Sequence, residues 1–402
     1  MKPRTALSDR AGRMPASPIR RLAPLADAAS RAGRRVLRLN IGQPDIPTPV
    51  EMMSVLREYD EPNLPYGPSQ GLPELIEALR LYHRGIGLEL EAEHLFVTTG
   101  GSEALLFVFA AIADPGDELL VFEPFYTNYG GFAELVGVKT VPVTTRAVDG
   151  YHLPPRQQIE AALTDRTRAI VICNPNNPTG TVYTDDELER IAAICRDRGL
   201  YLVADEVYRE FTYDGRVHRS ALTLSGLDQQ VVLTDSLSKR VSMCGARVGW
   251  IATYNRRMLD AVLRMGQARL CPPTLEQLVG ARLTRVPSSY TERVVAEYQR
   301  RRDVVVDALQ SMDGVTVRRP EGAFYVCPKL PIDDAQSFCE FLLRDFSLDG
   351  DTVILAPADG FYATPGLGRD EARIAYVLDT ALLDRAMRVL AAALEAYPAR
   401  VC

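Results

Sequence analysis

Residues 168–173 read RAIVIC, residues 185–199 read DDELERIAAICRDRG and residues 200–205 read LYLVAD, and this succession decides the fold. The two outer runs are short and continuously apolar, as strands covered on both faces tend to be, and the segment between them is helix-like. The same alternation extends both ways. HLFVTT (94–99), DELLVF (117–122), QVVLTD (230–235) and RVGWIAT (247–253) read as further buried strands, and SEALLFVFAAIA (102–113) as a helix. Strands alternating with helices predict a doubly wound, mostly parallel α/β sheet. Beyond it lies one long amphipathic stretch, roughly TLEQLVGARL and then SYTERVVAEYQRRRDVVVDALQSM. Short strands come next (GVTVRRP, AFYVCPKL, TVILAPA, EARIAYVL), then a last helix, TALLDRAMRVLAAALEAY. That tail reads as a separate α+β unit beginning near residue 290.

The chain has 402 residues, 47% apolar and 24% charged, which excludes a disordered chain, a collagen-like fibre and a small disulfide scaffold. A net charge of −6 gives no reason to expect nucleic acid. The seven cysteines (Cys173, Cys195, Cys244, Cys271, Cys327, Cys339, Cys402) show no CxxC spacing, and the histidines His83, His94, His152 and His218 are dispersed. No metal site and a reducing, cytoplasmic setting are therefore expected. No run is long and apolar enough to span a bilayer. The N-terminus lacks the apolar core of a secretory signal. It is arginine-rich like a transit peptide, but arginine is used that way throughout, which favours a structured or semi-ordered arm.

Only four lysines occur, Lys2, Lys139, Lys239 and Lys329, so one embedded in a motif stands out. Lys239 lies in Ser236-Leu237-Ser238-Lys239-Arg240-Val241-Ser242-Met243-Cys244-Gly245-Ala246-Arg247. The motif begins where QVVLTD ends, and ligands bind at strand ends in open α/β sheets. A lysine there suits an imine-forming amine, which reacts only when deprotonated. Arg247, Ser236 and Ser238 supply donors for an oxyanion such as phosphate.

This stretch resembles the pyridoxal-phosphate (PLP) attachment site of the class I/II aminotransferases, the fold-type I family. The resemblance implies a large domain with a mostly parallel seven-stranded sheet between helices, plus a smaller α+β domain. Residues 1–45 would form an arm and the first part of the small domain, 46–290 the large PLP-binding domain, and 291–402 the rest of the small domain. Lys239 would be the Schiff-base lysine and Arg247 would grip the cofactor phosphate, with Ser236 and Ser238 assisting.

Other segments extend the resemblance in chain order. Gly100, Gly101 and Ser102 sit in a strand-to-helix turn whose glycines let the backbone approach an anion, and would cradle the phosphate. In Asn174-Pro175-Asn176-Asn177-Pro178-Thr179-Gly180, Asn177 would meet the ring hydroxyl oxygen and face the substrate carboxylate. Asp205, at the end of a buried strand, needs a partner. The protonated pyridine nitrogen would be that partner, keeping the ring an electron sink. Tyr208 would donate to the ring oxygen, and Tyr126 would stack on the ring, while Phe125 or Tyr129 reads as core. Arg373 would clamp the substrate α-carboxylate, and Gly42 would line the substrate pocket. Tyr66 would reach the phosphate of a neighbouring subunit, which implies a homodimer with shared active sites.

The reaction implied is ping-pong transfer of an amino group from an L-amino acid to a 2-oxo acid, 2-oxoglutarate or pyruvate, within amino-acid metabolism. Some relatives that select dicarboxylates carry a basic residue in the glycine turn. Here that residue is Ser102, which favours neutral or aromatic side chains or a dedicated biosynthetic substrate, unless a cation comes from elsewhere. Ile41, Cys271, Phe361 and Tyr362 are candidate side-chain contacts, and Cys244 reads as a small packed hydrophobe. Two alternatives stay open. One is a lyase, cyclase or oxidase built on the same cofactor linkage. The other is a non-catalytic regulator of this fold, for which the 40 residues before the first motif leave no room for a helix-turn-helix module.

Overall fold

A computed structural model describes residues 5–401; Lys2 and Cys402 lie outside them. The strands in chain order are β1 (Arg35–Arg38), β2 (Leu95–Thr99), β3 (Glu118–Glu123), β4 (Lys139–Thr144), β5 (Thr167–Cys173), β6 (Tyr201–Asp205), β7 (Val231–Ser236), β8 (Val248–Ala252), β9 (Tyr325–Val326), β10 (Asp351–Ile354), β11 (Ala356–Pro357) and β12 (Ala372–Ala375). A seven-stranded sheet runs β2-β8-β7-β6-β5-β3-β4. All its strands are parallel except β8, which is antiparallel to both neighbours.

The β5–β6 unit shows why this sequence folds as it does. Every residue of β5 but Arg168 is buried, and all of β6 past Tyr201 is buried. Water therefore gains nothing by separating them, and the apolar area lost is worth about 25 cal/mol per Å². The connecting helix Asp185–Arg198 is specified at both ends. Thr184 and Glu187 form a reciprocal capping box, three acids fill its first turn, and Arg196 and Arg198 lie in its last. Gly199 closes it with φ +65°.

Two smaller sheets complete the molecule. β9, β12 and β11 form an antiparallel set, and β1 pairs in parallel with β10, so residues 35–38 join the C-terminal strands. The helices Ser288–Gln310 and Thr380–Ala396 pack on each other, and the second also covers β10.

Three details depart from the sequence reading. β4 was not anticipated: it carries Pro142 and is mostly half-buried, both marks of an edge strand. GVTVRRP forms no strand; only Thr316 bridges Lys329. The stretch from Thr274 to Gln310 is not one element, because it divides into Thr274–Gly280 and Ser288–Gln310 ahead of Pro287. Among the described residues no helix is long and apolar enough to cross a membrane, and no cluster of three or more acidic, His or Cys side chains suits a metal.

Candidate active site

Five parallel strands end on one edge of the large sheet: β2 at Thr99, β3 at Glu123, β5 at Cys173, β6 at Asp205 and β7 at Ser236. Arg247, immediately before antiparallel β8, reaches the same edge. A cavity of about 580 Å³ opens there. Gly42, Gly101, Ser102, Tyr126, Asn177, Asp205, Tyr208, Ser236, Ser238, Lys239, Arg247 and Arg373 all line it.

β7 delivers the lysine. Its last residue, Ser236, caps the one-turn helix Leu237–Arg240 by accepting from the Ser238 backbone N–H at 3.3 Å. Lys239 Nζ then donates to the Gly42 carbonyl at 2.7 Å and stands 3.8 Å from Cys244 Sγ. The rings of Tyr208 and Phe324 lie 5.9 and 5.8 Å away.

Asp205 terminates β6 on the cavity floor. Burial pushes its carboxyl up to about 6, against the Tyr129 phenol, the Val207 amide and the Lys239 charge, which all favour the ionised form. Tyr129 donates to Oδ2 at 2.9 Å, and the Val207 N–H reaches Oδ1 only at 3.4 Å. The carboxylate is thus buried with its charge incompletely compensated. Tyr126 leans edge-on against Tyr129, ring centroids 5.5 Å apart, and burial raises its phenol to about 12.

At the other end Gly100 and Arg247 meet. Gly100 has φ +75°, and a Cβ there would fall 2.5 Å from Arg247 Nη2. Only glycine leaves room for the guanidinium against the start of the helix Gly100–Ile112. Arg247 itself holds φ +53°, a strained backbone for a side-chain-bearing residue, and donates Nη1 to the Cys244 carbonyl at 2.8 Å. Guanidinium, serine hydroxyls and a helix N-terminus therefore share one corner, a setting for an anion.

Arg373 forms the third group. It is 2% exposed, lies between the rings of Tyr325 (4.6 Å) and Phe361 (5.0 Å), and donates to Asn177 Oδ1 at 3.0 Å and to the Asn40 carbonyl at 2.6 Å. Its buried Nε has no hydrogen-bond partner among the described residues. A buried guanidinium with a spare donor is suited to a carboxylate. The hydroxyls of Tyr208 and Tyr325 meet at 2.9 Å, and a Cβ on Gly42 would fall 1.7 Å from Tyr325 Oη, so the chain needs glycine at 42.

Tyr66 is apart from these, 81% exposed. Ile41 lines the cavity; Cys271 and Tyr362 do not, and Phe361 touches it only through Arg373. Cys244 is not packed away but half-buried in the cavity wall, with Sγ donating to the Ser238 carbonyl at 3.0 Å. Sequence reasoning missed Tyr325, Cys173, Ser17, Ile19 and Arg20, all of which line the cavity. It offered Phe125 or Tyr129 as core aromatics and gave Tyr129 no further role. Tyr129 is buried, but its phenol answers a buried acid, and buried phenols usually find such a partner.

A family model described as "Aminotransferase class I and II" matches residues 34–390. The chain is 30% identical to an aspartate aminotransferase of Geobacillus stearothermophilus over 91% of its own length and 93% of that protein's. It is 34% identical to a probable N-acetyl-LL-diaminopimelate aminotransferase of Bacillus subtilis, covering 86% of each. Among solved structures, an alanine aminotransferase from Pyrococcus furiosus superimposes with a TM-score of 0.89 at 30% identity, covering 98% of this chain and all of that one. The Thermus thermophilus aspartate aminotransferase with maleate gives 0.88 at 29% identity over 96% of this chain and 99% of its own.

Proposed function

We infer the chemistry of this cavity from one premise: the chain belongs to the class I and II aminotransferases. It is an aminotransferase, carrying an amino group from an amino acid to a 2-oxo acid. In our reading the cavity binds PLP, the cofactor of that family. Three features fit it: an anion corner that only glycine at 100 leaves open, a buried acid at 205 short of positive charge, and a lysine amine between them.

Arg247, Ser236, Ser238 and the Gly100-Gly101-Ser102 turn hold the phosphate. Asp205, oriented by Tyr129, would pair with the pyridine nitrogen. Tyr126 would cover the ring, and Asn177 and Tyr208 would hydrogen-bond its oxygen. Lys239 Nζ would hold the cofactor through its aldehyde carbon. Once bound, the cofactor supplies the electron sink that lets the amino acid's Cα–H bond break. Lys239 Nζ would take that proton and return it one carbon along, as general base and then acid. Arg373, braced by Asn177, Tyr325 and Phe361, clamps the α-carboxylate so that the Cα–H faces Lys239. The donor would leave as its 2-oxo acid with its amino group retained in the site, and a second 2-oxo acid, 2-oxoglutarate or pyruvate, would carry that group away, so the transfer would be ping-pong.

The exposed apolar run of Val50, Met53, Leu56, Leu64 and Tyr66 is, in this reading, a face covered by a second copy, with Tyr66 completing that copy's phosphate site. The large domain spans residues 46–290, and the flanking segments make the small one.

The observation that carries the reading is the placement of Lys239, Asp205, Arg247 and Arg373 around one cavity. A panel of amino donors tested against 2-oxoglutarate and pyruvate checks it. Keto-acid product matched by a new amino acid supports transfer; ammonia with an unsaturated product supports the lyase alternative.

A further inference from the structure

The side chains that carry full charge on the cavity wall are Arg20, Asp205, Lys239, Arg247 and Arg373. The proposed function, on which this inference rests, employs the last four: one acid for the ring nitrogen, one amine for the aldehyde, one guanidinium for the phosphate and one for the α-carboxylate. Arg20 has no assignment. Its guanidinium makes no ion pair or hydrogen bond among the described residues, while its neighbour Arg21 is paired with Asp359 at 2.6 Å. An exposed cation on a cavity wall with no protein anion of its own is free to pair with one carried by a ligand.

Arg20 is exposed, but the backbone that carries it is anchored at the wall. Pro18 is buried against the small unit, where a Cβ on Gly360 would fall 2.4 Å from it. The Ile19 carbonyl accepts from Asn40 Nδ2 at 3.0 Å, and Asn40's own carbonyl accepts from Arg373 Nη2 at 2.6 Å. The backbone turns tightly, with the Arg20 and Arg21 N–H groups on the Ser17 carbonyl at 3.2 and 3.1 Å. One asparagine thus ties the segment bearing Arg20 to the arginine that receives the α-carboxylate. The same cavity also offers Ser102, which carries no charge.

We propose that Arg20 is a specificity-determining residue that binds a second carboxylate, at the far end of the substrate side chain, and so sets this site for dicarboxylic amino and 2-oxo acids. The serine at 102 favours a neutral side chain only while no other cation reaches the cavity; Arg20 reaches it.

The test uses the full-length, PLP-loaded enzyme and two 2-oxo acids of equal chain length, 2-oxoglutarate and 2-oxopentanoate, which differ only in the distal carboxylate. In R20Q the ratio of kcat/KM for 2-oxoglutarate over 2-oxopentanoate falls about tenfold or more, as loss of a charge-assisted hydrogen bond requires, and R20K restores most of it. Independently of turnover, succinate dissociates about tenfold more easily from R20Q than from the parent, while butyrate, which lacks the second carboxylate, distinguishes them less. A parent enzyme that does not favour 2-oxoglutarate, or R20Q with both ratios within twofold of the parent, overturns the role of Arg20 and leaves the aminotransferase reading standing. A parent that transfers no amino group from any donor overturns the reading beneath it.

Discussion

Tyr129 donates a 2.9 Å hydrogen bond to Asp205 Oδ2, and among the described residues this phenol is the one side-chain hydrogen-bond donor to the buried carboxylate. The acid consequently stays near a pKa of 6, where a fully solvated aspartate would lie near 4. The folded protein without cofactor therefore binds a proton more tightly than the unfolded chain between about pH 4 and 6, and loses stability as pH rises through that window. Asp205→Asn should remove the cost. At pH 8 the cofactor-free variant should be more stable than the parent by ~3 kcal/mol, with the gap closing towards pH 4, while transamination is lost. Urea titrations at the two pH values measure it; gaps equal at both would contradict the argument.

Gly100→Ala should weaken cofactor binding about tenfold or more. It places a Cβ 2.5 Å from Arg247 Nη2 and forces alanine into φ +75°, a conformation that costs about 1–2 kcal/mol. Gly101→Ala should cost less, since its Cβ would meet nothing nearer than Ser236 Cβ at 4.0 Å. Absorbance titration of both variants with PLP compares them; equal losses would refute the cradle.

Arg373→Lys should raise KM for the amino donor about tenfold or more, because an ammonium cannot present the two-pronged fork that a carboxylate takes. The bracing by Asn177, Tyr325 and Phe361 stays in place, so the thermal midpoint should move much less than KM. Steady-state kinetics beside a melting curve separate the two. A lowered midpoint with unchanged KM would mean that Arg373 is purely structural.

His152 bridges Glu187 on the Asp185–Arg198 helix, at 3.0 Å, and Glu321 in the segment leading to β9, at 3.6 Å. Hydrogen bonds to Glu187 first and Glu321 second raise its pKa to about 9. A raised histidine stabilises the fold fully below its unfolded value near 6.5, and that contribution disappears as pH climbs through 9. The parent should lose stability between pH 7 and 10 in excess of His152→Gln. Parallel melting profiles over that range would show the bridge to be inert.

Much of this was legible in the sequence because the cavity is built at strand ends. Continuous apolar runs announce buried strands, and the residues at or just past their ends, Gly100, Asn177, Asp205 and Lys239, are delivered to one edge by the sheet itself. The direction of β8 was not legible, since antiparallel and parallel central strands bury the same residue types. β4 hid because Pro142 and its half-exposed pattern blur the apolar run. Tyr325 and Arg20 were missed for a different reason. They reach the cavity through contacts distant in sequence, Tyr325 against Gly42 and Arg373, and Arg20 through Pro18 against Gly360. No local pattern encodes such a meeting.

The most direct test of the account is where the cofactor is attached. Only four lysines compete, Lys2, Lys139, Lys239 and Lys329. Borohydride reduction of the PLP-loaded enzyme, then proteolysis and mass spectrometry, should find the pyridoxyl group on Lys239 alone, and Lys239→Ala should retain its fold but fix no cofactor and lose turnover by about 10³-fold or more. Label on Lys139 or Lys329, or a Lys239→Ala enzyme that still turns over at the parent's rate, would contradict it.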